Sequence, residues 1–453
     1  MKIRINIFIS IILSCFIGIL LDFNWGMAFC FFLLILFVFL LIKKTDFILI
    51  CISVFPPFNQ LVVIHAGLCD IRIMQLLWCI VIVKYFIENL YKRKLYNIRF
   101  FYYDIYIVIF IFFCFIQALL YKEHLLIFKE TLQWIYLYSI FVFYRSYYNT
   151  YKKIKIFSKF VVIVSIMFSS YGILKFFYGK DFIPAIHINL FHGIQFVRTS
   201  LSAREVLSGV FFRTDSFLWG PVGTANILLI QYFMVNISPL KQITKLIVKF
   251  LIILVLVLTA SRAAWIFFIS LYFVEIWLKK KNIPLRFIGS VGIVYLIFLF
   301  FPWVLYRFLD TFSAEESSNI WHIVIWSSGI EMFKSNPLWG IGTGCFAYST
   351  ILRKMLSAAG LDTIFITSHN MFLKLLSENG LLGFGLWLMF FISFFNKYWN
   401  YRFLKKNYLY RSLFFSLIGT ILMNLTMNAF MIEIFWIILG VFVGAFYCCE
   451  NNS

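Results

Sequence analysis

The chain has 453 residues, of which 63% are hydrophobic and 13% charged, with a formal net charge of +21 at pH 7. Its mean hydropathy is +0.92, which excludes a soluble globule and makes this a polytopic membrane protein. The basic excess does not point to nucleic acid, because no motif for base or backbone recognition accompanies it.

A hydrocarbon core of roughly 30 Å takes about 20 apolar residues to cross, so the number of spans sets the architecture. Apolar runs predict about fourteen helical spans, near 5–20, 26–42, 47–64, 72–90, 104–120, 125–143, 157–178, 219–238, 246–260, 263–278, 287–305, 380–396, 412–427 and 429–447. The expected fold is an all-α integral membrane protein with two larger external loops. Five segments follow: N-terminal helices over 1–178, a first external loop over 179–218, central helices over 219–305, a second external loop over 306–379, and C-terminal helices over 380–453. The start, "MKIRINIFISIILSCFIGIL", is similar to a signal peptide but lacks a small-x-small cleavage site and runs into another hydrophobic stretch, so a retained first helix is expected.

Lys and Arg collect in cytoplasmic loops, and with the N-terminus inside every even-numbered connection is basic. These include "KKTD" (43–46), "YKRKLYNIR" (91–99), "LKQITKLIVK" (240–249), "KKKNIPLR" (279–286) and "KYWNYRFLKKNYLYR" (397–411). The net charge is thus a topology signal and an attraction for anionic lipid. Of the nine cysteines, only Cys69 and Cys345 fall in expected external loops, so no disulfide framework is implied. Neither metal-ligand spacing nor a phosphate-binding Gly loop of known pattern is present.

The two external loops hold the unusual residues. The first carries Lys180, Arg198, Arg204 and Arg213 against Asp181, Glu205 and Asp215, basic residues kept where the positive-inside rule disfavours them. Beyond it, "LTASRAAWIFF" sets Arg262 at the external boundary between two hydrophobic runs. A guanidinium there snorkels to pin a helix end or binds an anion, and its planar fork suits phosphate. In the second loop, "NPLWGIGTGCF" has Gly340, Gly342 and Gly344, which permit a tight turn with exposed N–H groups. Then "TSHNMFLKLLSENG" places Asn370, Lys374, Ser377 and Glu378 on one helical face and Phe372, Leu373, Leu375 and Leu376 on the other. That pattern predicts an amphipathic helix at the outer interface, leading through Gly380 into a span. His369 falls at its N-terminus, where the helix dipole keeps an imidazole neutral and able to accept a proton; capping or packing is the plainer reading.

"SRAAW", the spacing from Trp326 through Met332 to Pro337–Phe346, and His369-Asn370 with Leu373, Glu378 and Gly380 together resemble the O-antigen ligase and O-antigen polymerase superfamily. The matching stretch covers roughly residues 210–400. The resemblance implies a metal-independent glycosyltransferase without a cofactor, in a bacterial inner membrane, its active site facing the periplasm. Its donor is expected to be a polyprenyl-pyrophosphate-linked oligosaccharide, and its partners membrane lipid and a chain-length regulator and flippase of the same pathway. By resemblance Arg262 and, more loosely, Arg213 bind the donor pyrophosphate, and His369 stands near the transfer site. Asn370, Glu378 and Arg198 are candidates for acceptor contact or positioning, with Glu378 favoured for a structural or capping role because it lies nearly opposite His369 on the helical wheel. Span count, the basic loops and the Arg198 to Gly209 spacing lean toward a polymerase that extends a lipid-linked repeat unit; a ligase acting on lipid A core is the alternative. A transporter of lipid-linked sugars is the reading from another class, with Glu275 and Glu433 as its buried charges.

Overall fold

The computed structural model describes residues 56, 62–66, 69–92, 100–178, 185–189, 193–197, 214, 220–279, 317–361 and 368–451. They fall into two compact units, one drawn from Met1–Tyr96 and Lys180–Leu201, the other from Asn97–Gly179 and Ser202–Ser453. The expected spans near 5–20, 26–42 and 287–305, and most of 47–64, lie outside the described residues, as do Arg198 and Arg213.

The first unit departs from an all-α fold. β1 (Val62–Ala66) pairs antiparallel with β2 (Cys69–Arg72) and parallel with β3 (Ala185–Asn189), which pairs antiparallel with β4 (Gly193–Val197), in the order β2-β1-β3-β4. The end of the expected span 47–64 is therefore strand, and the first external loop contains a hairpin. β-branched residues run unbroken through Val62–Ile64 and alternate in Ile186–Ile188, and both suit a pleated ladder. Helix α1 (Ile73–Lys92) follows β2 directly, with the Arg72 N–H donating to Gln75 Oε1 at 2.9 Å.

The second unit is helical among its described residues, and the expected spans there have helices. They are α2 (Asp104–Leu120), α3 (His124–Tyr147), α4 (Tyr151–Tyr178), α5 (Gly220–Met234), α6 (Gln242–Leu258) and α7 (Arg262–Lys279). After these come α8 (Ser317–Ser335), α9 (Thr350–Ala358), α10 (Met371–Tyr398), α11 (Tyr401–Lys406), α12 (Tyr408–Met423) and α13 (Glu433–Glu450). Four of the described helices are long and apolar enough to cross a membrane, namely α3, α4 to Phe177, α10 and α13.

Bare backbone at helix contacts lets these elements approach closely. In α13, a Cβ on Gly444 would lie 1.8 Å from the Tyr148 carbonyl oxygen, and one on Gly440 would lie 2.7 Å from Tyr144 Cβ, so the four-residue glycine spacing seats α13 on the end of α3. Aromatic rings fill the seam, with Trp134 edge-on to Trp436 at 6.2 Å and Phe141 edge-on to Phe390 at 6.1 Å. Between α2 and α3, Arg145 makes a bidentate pair with Asp104 at 2.7 Å on each arm, its side chain 2% exposed and that of Asp104 fully buried. A fork-on-carboxylate pair satisfies both charges within the bundle, which is what makes it tolerable there.

Candidate functional site

Three of the segments singled out in the sequence meet around α8. The first is the turn between α6 and α7. Thr259 closes α6, Ala260 takes a left-handed φ of 51°, and Arg262 opens α7. The Trp265 indole N–H donates to the Leu256 carbonyl at 2.9 Å and so ties the turn shut. Arg262 is half-buried, and its Nη2 donates to Asn319 Oδ1 on α8 at 3.1 Å.

The second segment brings His369. Its backbone φ is 47°, left-handed and uncommon for a residue with a Cβ. The flanking residues enforce it. Ser368 Oγ reaches Asn428 Oδ1 at 2.9 Å and the Met371 N–H donates to the Asn424 carbonyl at 2.8 Å, so the turn after α12 grips both sides. Asn370 caps α10, its Oδ1 accepting from the Leu373 N–H at 3.0 Å. The His369 ring then meets His322 of α8 edge-on, with centroids 5.5 Å apart. Burial first, and the neighbouring His322 second, push the His369 imidazole down to about 4, so it is neutral near pH 7.

Asn319 and His322 are three residues apart on α8, one turn on the same face. One helix face thus touches both Arg262 and His369. Gly329, seven residues beyond His322, continues that face and admits α10: a Cβ there would lie 2.8 Å from Leu373. α8 also packs through Ile325 and Met332 against Phe346, Leu352 and Leu356. Met332 and Phe346, both part of the motif spacing, are core residues that hold α8 in place. Asn319 and His322 were not singled out in the sequence. Their signal was two polar residues at helical spacing in "SSNIWHIVIW", which composition alone does not separate from a solvated face.

The third segment is the glycine loop, and it corrects two expectations. Its N–H groups are not exposed for a ligand. Ile341 and Gly342 donate to the carbonyls of Ser377 and Glu378, each at 3.0 Å, while Leu381 and Leu382 donate back to Pro337 and Leu338 at 2.8 and 3.2 Å. This exchange spans a break in α10 at Gly380, where φ is 60° and ψ is −165°, and the loop satisfies the backbone groups that the break frees. Gln117 of α2 locks it from a third side, donating to the carbonyls of Trp339 and Glu378 at 2.6 and 3.2 Å and accepting from Thr343 Oγ1 at 2.6 Å.

Nor does the polar face of residues 370–378 lie on an outer surface. Ser377 and Glu378 are buried, and Lys374 bridges Glu130 of α3 and Glu378, at 2.7 Å each. Glu378 Oε1 also accepts from the Phe346 N–H at 3.0 Å, so both of its oxygens are engaged by the chain itself as a brace. The polar face turns inward because its partners, the loop amides and Glu130, are supplied by elements distant in sequence.

Thr214 is buried, its N–H donating to the Leu258 carbonyl at 3.0 Å and its hydroxyl to the Gly172 carbonyl at 2.7 Å. It stands beside the turn that carries Arg262. Its neighbour in sequence, Arg213, lies outside the described residues, as does Arg198. Among the described residues no group of three or more His, Cys, Asp or Glu is placed to hold a metal ion.

The stretch that holds the Arg262 turn, α8, the glycine loop and the start of α10 matches the family model described as O-antigen ligase, over residues 247–388. Over that stretch the chain is similar to the O-antigen ligase family. This supports the O-antigen ligase and polymerase superfamily, whose members are glycosyltransferase-like enzymes. The matched stretch spans Arg262, Asn319, His322 and His369, and its glycine loop braces α10. No curated protein matches the chain.

Proposed function

We propose that this membrane protein is a polymerase of O-antigen or a related surface polysaccharide. It transfers a polyprenyl-pyrophosphate-linked glycan to a lipid-linked repeat unit at the periplasmic face of the inner membrane. The observation that carries the reading is the α8 face on which Asn319 meets Arg262 and, one turn on, His322 meets His369. A fixed cation and a neutral imidazole stand against one short stretch of helix, as a displacement with an anionic leaving group requires.

The step is direct displacement at the anomeric carbon of the donor's reducing-end sugar. The acceptor hydroxyl oxygen forms the new bond, the bond from that carbon to the pyrophosphate oxygen breaks, and lipid pyrophosphate leaves with the electron pair. His369 takes the acceptor proton. Arg262, joined by Arg213 from the segment before Thr214, stabilises charge developing on the leaving group. Donor binding sharpens the base, because a pyrophosphate dianion close to a buried imidazole favours the protonated form and raises its affinity for the proton from about 4 toward neutrality. Asn370 and Glu378 position this assembly as helix cap and loop brace, and Arg198 is assigned to acceptor contact.

A ligase that passes the finished glycan to lipid A core is the second reading, favoured by the description of the matching family. The test is deletion of the gene in its host, complemented with wild type, Arg262→Ala or His369→Ala, followed by gel analysis of surface lipopolysaccharide. Core bearing a single repeat unit supports the polymerase. Bare core with long polymer held on the lipid carrier supports the ligase. An unchanged ladder overturns both and returns the protein to transport or to another glycan.

A further inference from the structure

We propose that His322 is a positioning residue of the transfer site, holding the His369 imidazole from α8 by an edge-on ring contact and coupling it to the helix face that meets Arg262. The inference rests on the transfer reading above and adds to it a residue that neither the motif spacing nor the family match assigns.

Four observations carry it. The two rings lie 5.5 Å apart at 82°, close enough that rotation of one ring requires movement of the other. His322 is itself seated, with its ring 5.5 Å from that of Trp326 one turn on. α8 is held at α10, since Gly329 brings Leu373 against its backbone and Ile325 and Met332 pack into the cluster of Phe346, Leu352 and Leu356. Finally, His369 needs an external constraint on its ring: its left-handed backbone is set by Ser368, Asn370 and the Asn424 carbonyl, all of which fix the main chain and leave the imidazole to be oriented from elsewhere.

The contact has a chemical consequence. Among the described residues, His322 is the titratable group whose charge acts on His369, from α8; the turn after α12 contributes the uncharged Asn424 and Asn428, and the caps are Ser368 and Asn370. Burial first and a charge on His322 second disfavour a cation on His369, so His322 adds to the burial that keeps the proposed base free of its proton. Because Asn319 sits one turn earlier, a displacement of α8 by ligand at Arg262 moves both contacts together.

The test uses the full-length protein in lipid nanodiscs with carbon-13-labelled histidine, the His369 signal being identified by its loss in His369→Gln. His369 is titrated in wild type, His322→Gln and His322→Arg, and turnover and donor KM are measured from pH 4 to 8. Removing the neighbouring charge with Gln moves the His369 midpoint and the acid limb of kcat to higher pH, and the permanent cation of Arg moves both lower. His322→Gln lowers kcat by roughly 10- to 100-fold with donor KM unchanged, the scale expected for a misoriented base. A residue that merely packs would leave the limb in place. If His369 titrates alike in all three proteins and the kcat profiles coincide, the positioning role is overturned while the transfer reading stands. If the midpoints move in opposite directions but wild type transfers no glycan, the coupling of the rings stands and the transfer reading falls.

Discussion

Replacing Gly380 by Ala probes the joint between the glycine loop and α10. At φ 60° and ψ −165° the backbone is in a region that only glycine occupies readily, and a side chain there carries about 1–3 kcal/mol of strain. The added Cβ would also lie 2.3 Å from the Leu338 carbonyl oxygen and 2.7 Å from the Gly340 nitrogen, backbone atoms that cannot swing aside. The loop must back away, loosening between two and four of the hydrogen bonds that Ile341, Gly342, Leu381 and Leu382 make across the break. At about 0.5–1.5 kcal/mol net for each bond, the total destabilisation is about 2–9 kcal/mol. Thermal unfolding of the purified protein in detergent, followed by loss of the monodisperse chromatographic peak, should show a midpoint lower by about 2–9 °C. Gly385→Ala on the same helix is the matched control: it has ordinary φ and open space within 4 Å of the new Cβ, so its midpoint should stay at or slightly above that of wild type. A Gly380→Ala midpoint indistinguishable from that of Gly385→Ala would refute the claim that the loop and the break in α10 are one structural joint.

His369→Ala should reduce glycan transfer by about 10²- to 10⁴-fold with little change in unfolding midpoint, measured on purified protein with a lipid-linked donor; full turnover would remove His369 from the chemistry. The pH dependence of folding follows from the same imidazole. Its proton affinity is held down to about 4 in the folded chain against an ordinary 6.5, so the unfolded chain binds more protons in that window and stability falls as pH drops from 6.5 toward 4. Denaturation midpoints at pH 7, 5.5 and 4.5 should decline in that order, with the decline reduced in His369→Gln. Within the bundle, Asp104→Asn strands the buried Arg145 guanidinium and should cost about 3–5 kcal/mol, whereas Gly444→Val should displace α13 from α3; yield of monodisperse protein reads both, and wild-type yield from either variant would contradict the packing described.

Much of the helical architecture was legible in the chain because a hydrocarbon solvent leaves few solutions. Apolar runs long enough to span announce most of the described helices of the second unit, whereas α8 and α9 fall inside the stretch expected as the second external loop. The motif residues were legible as well, since Arg262, His369 and the three loop glycines are costly or unusual where they stand. Their roles were less so. From the sequence alone the glycine loop and the polar face of 370–378 both point outward, to a ligand and to the membrane surface. Only the tertiary structure turns them toward each other, because the groups that satisfy them, Gln117, Glu130 and the carbonyls around Gly380, come from elements up to 261 residues away. The sheet was hidden for the same reason: the parallel pairing of β1 with β3 joins segments more than a hundred residues apart, and local periodicity carries no information about a partner at that distance. The meeting of Arg262 and His369 on one face of α8 is likewise a property of packing. Sequence determined which groups were chemically expensive, and the fold decided which of them share a surface.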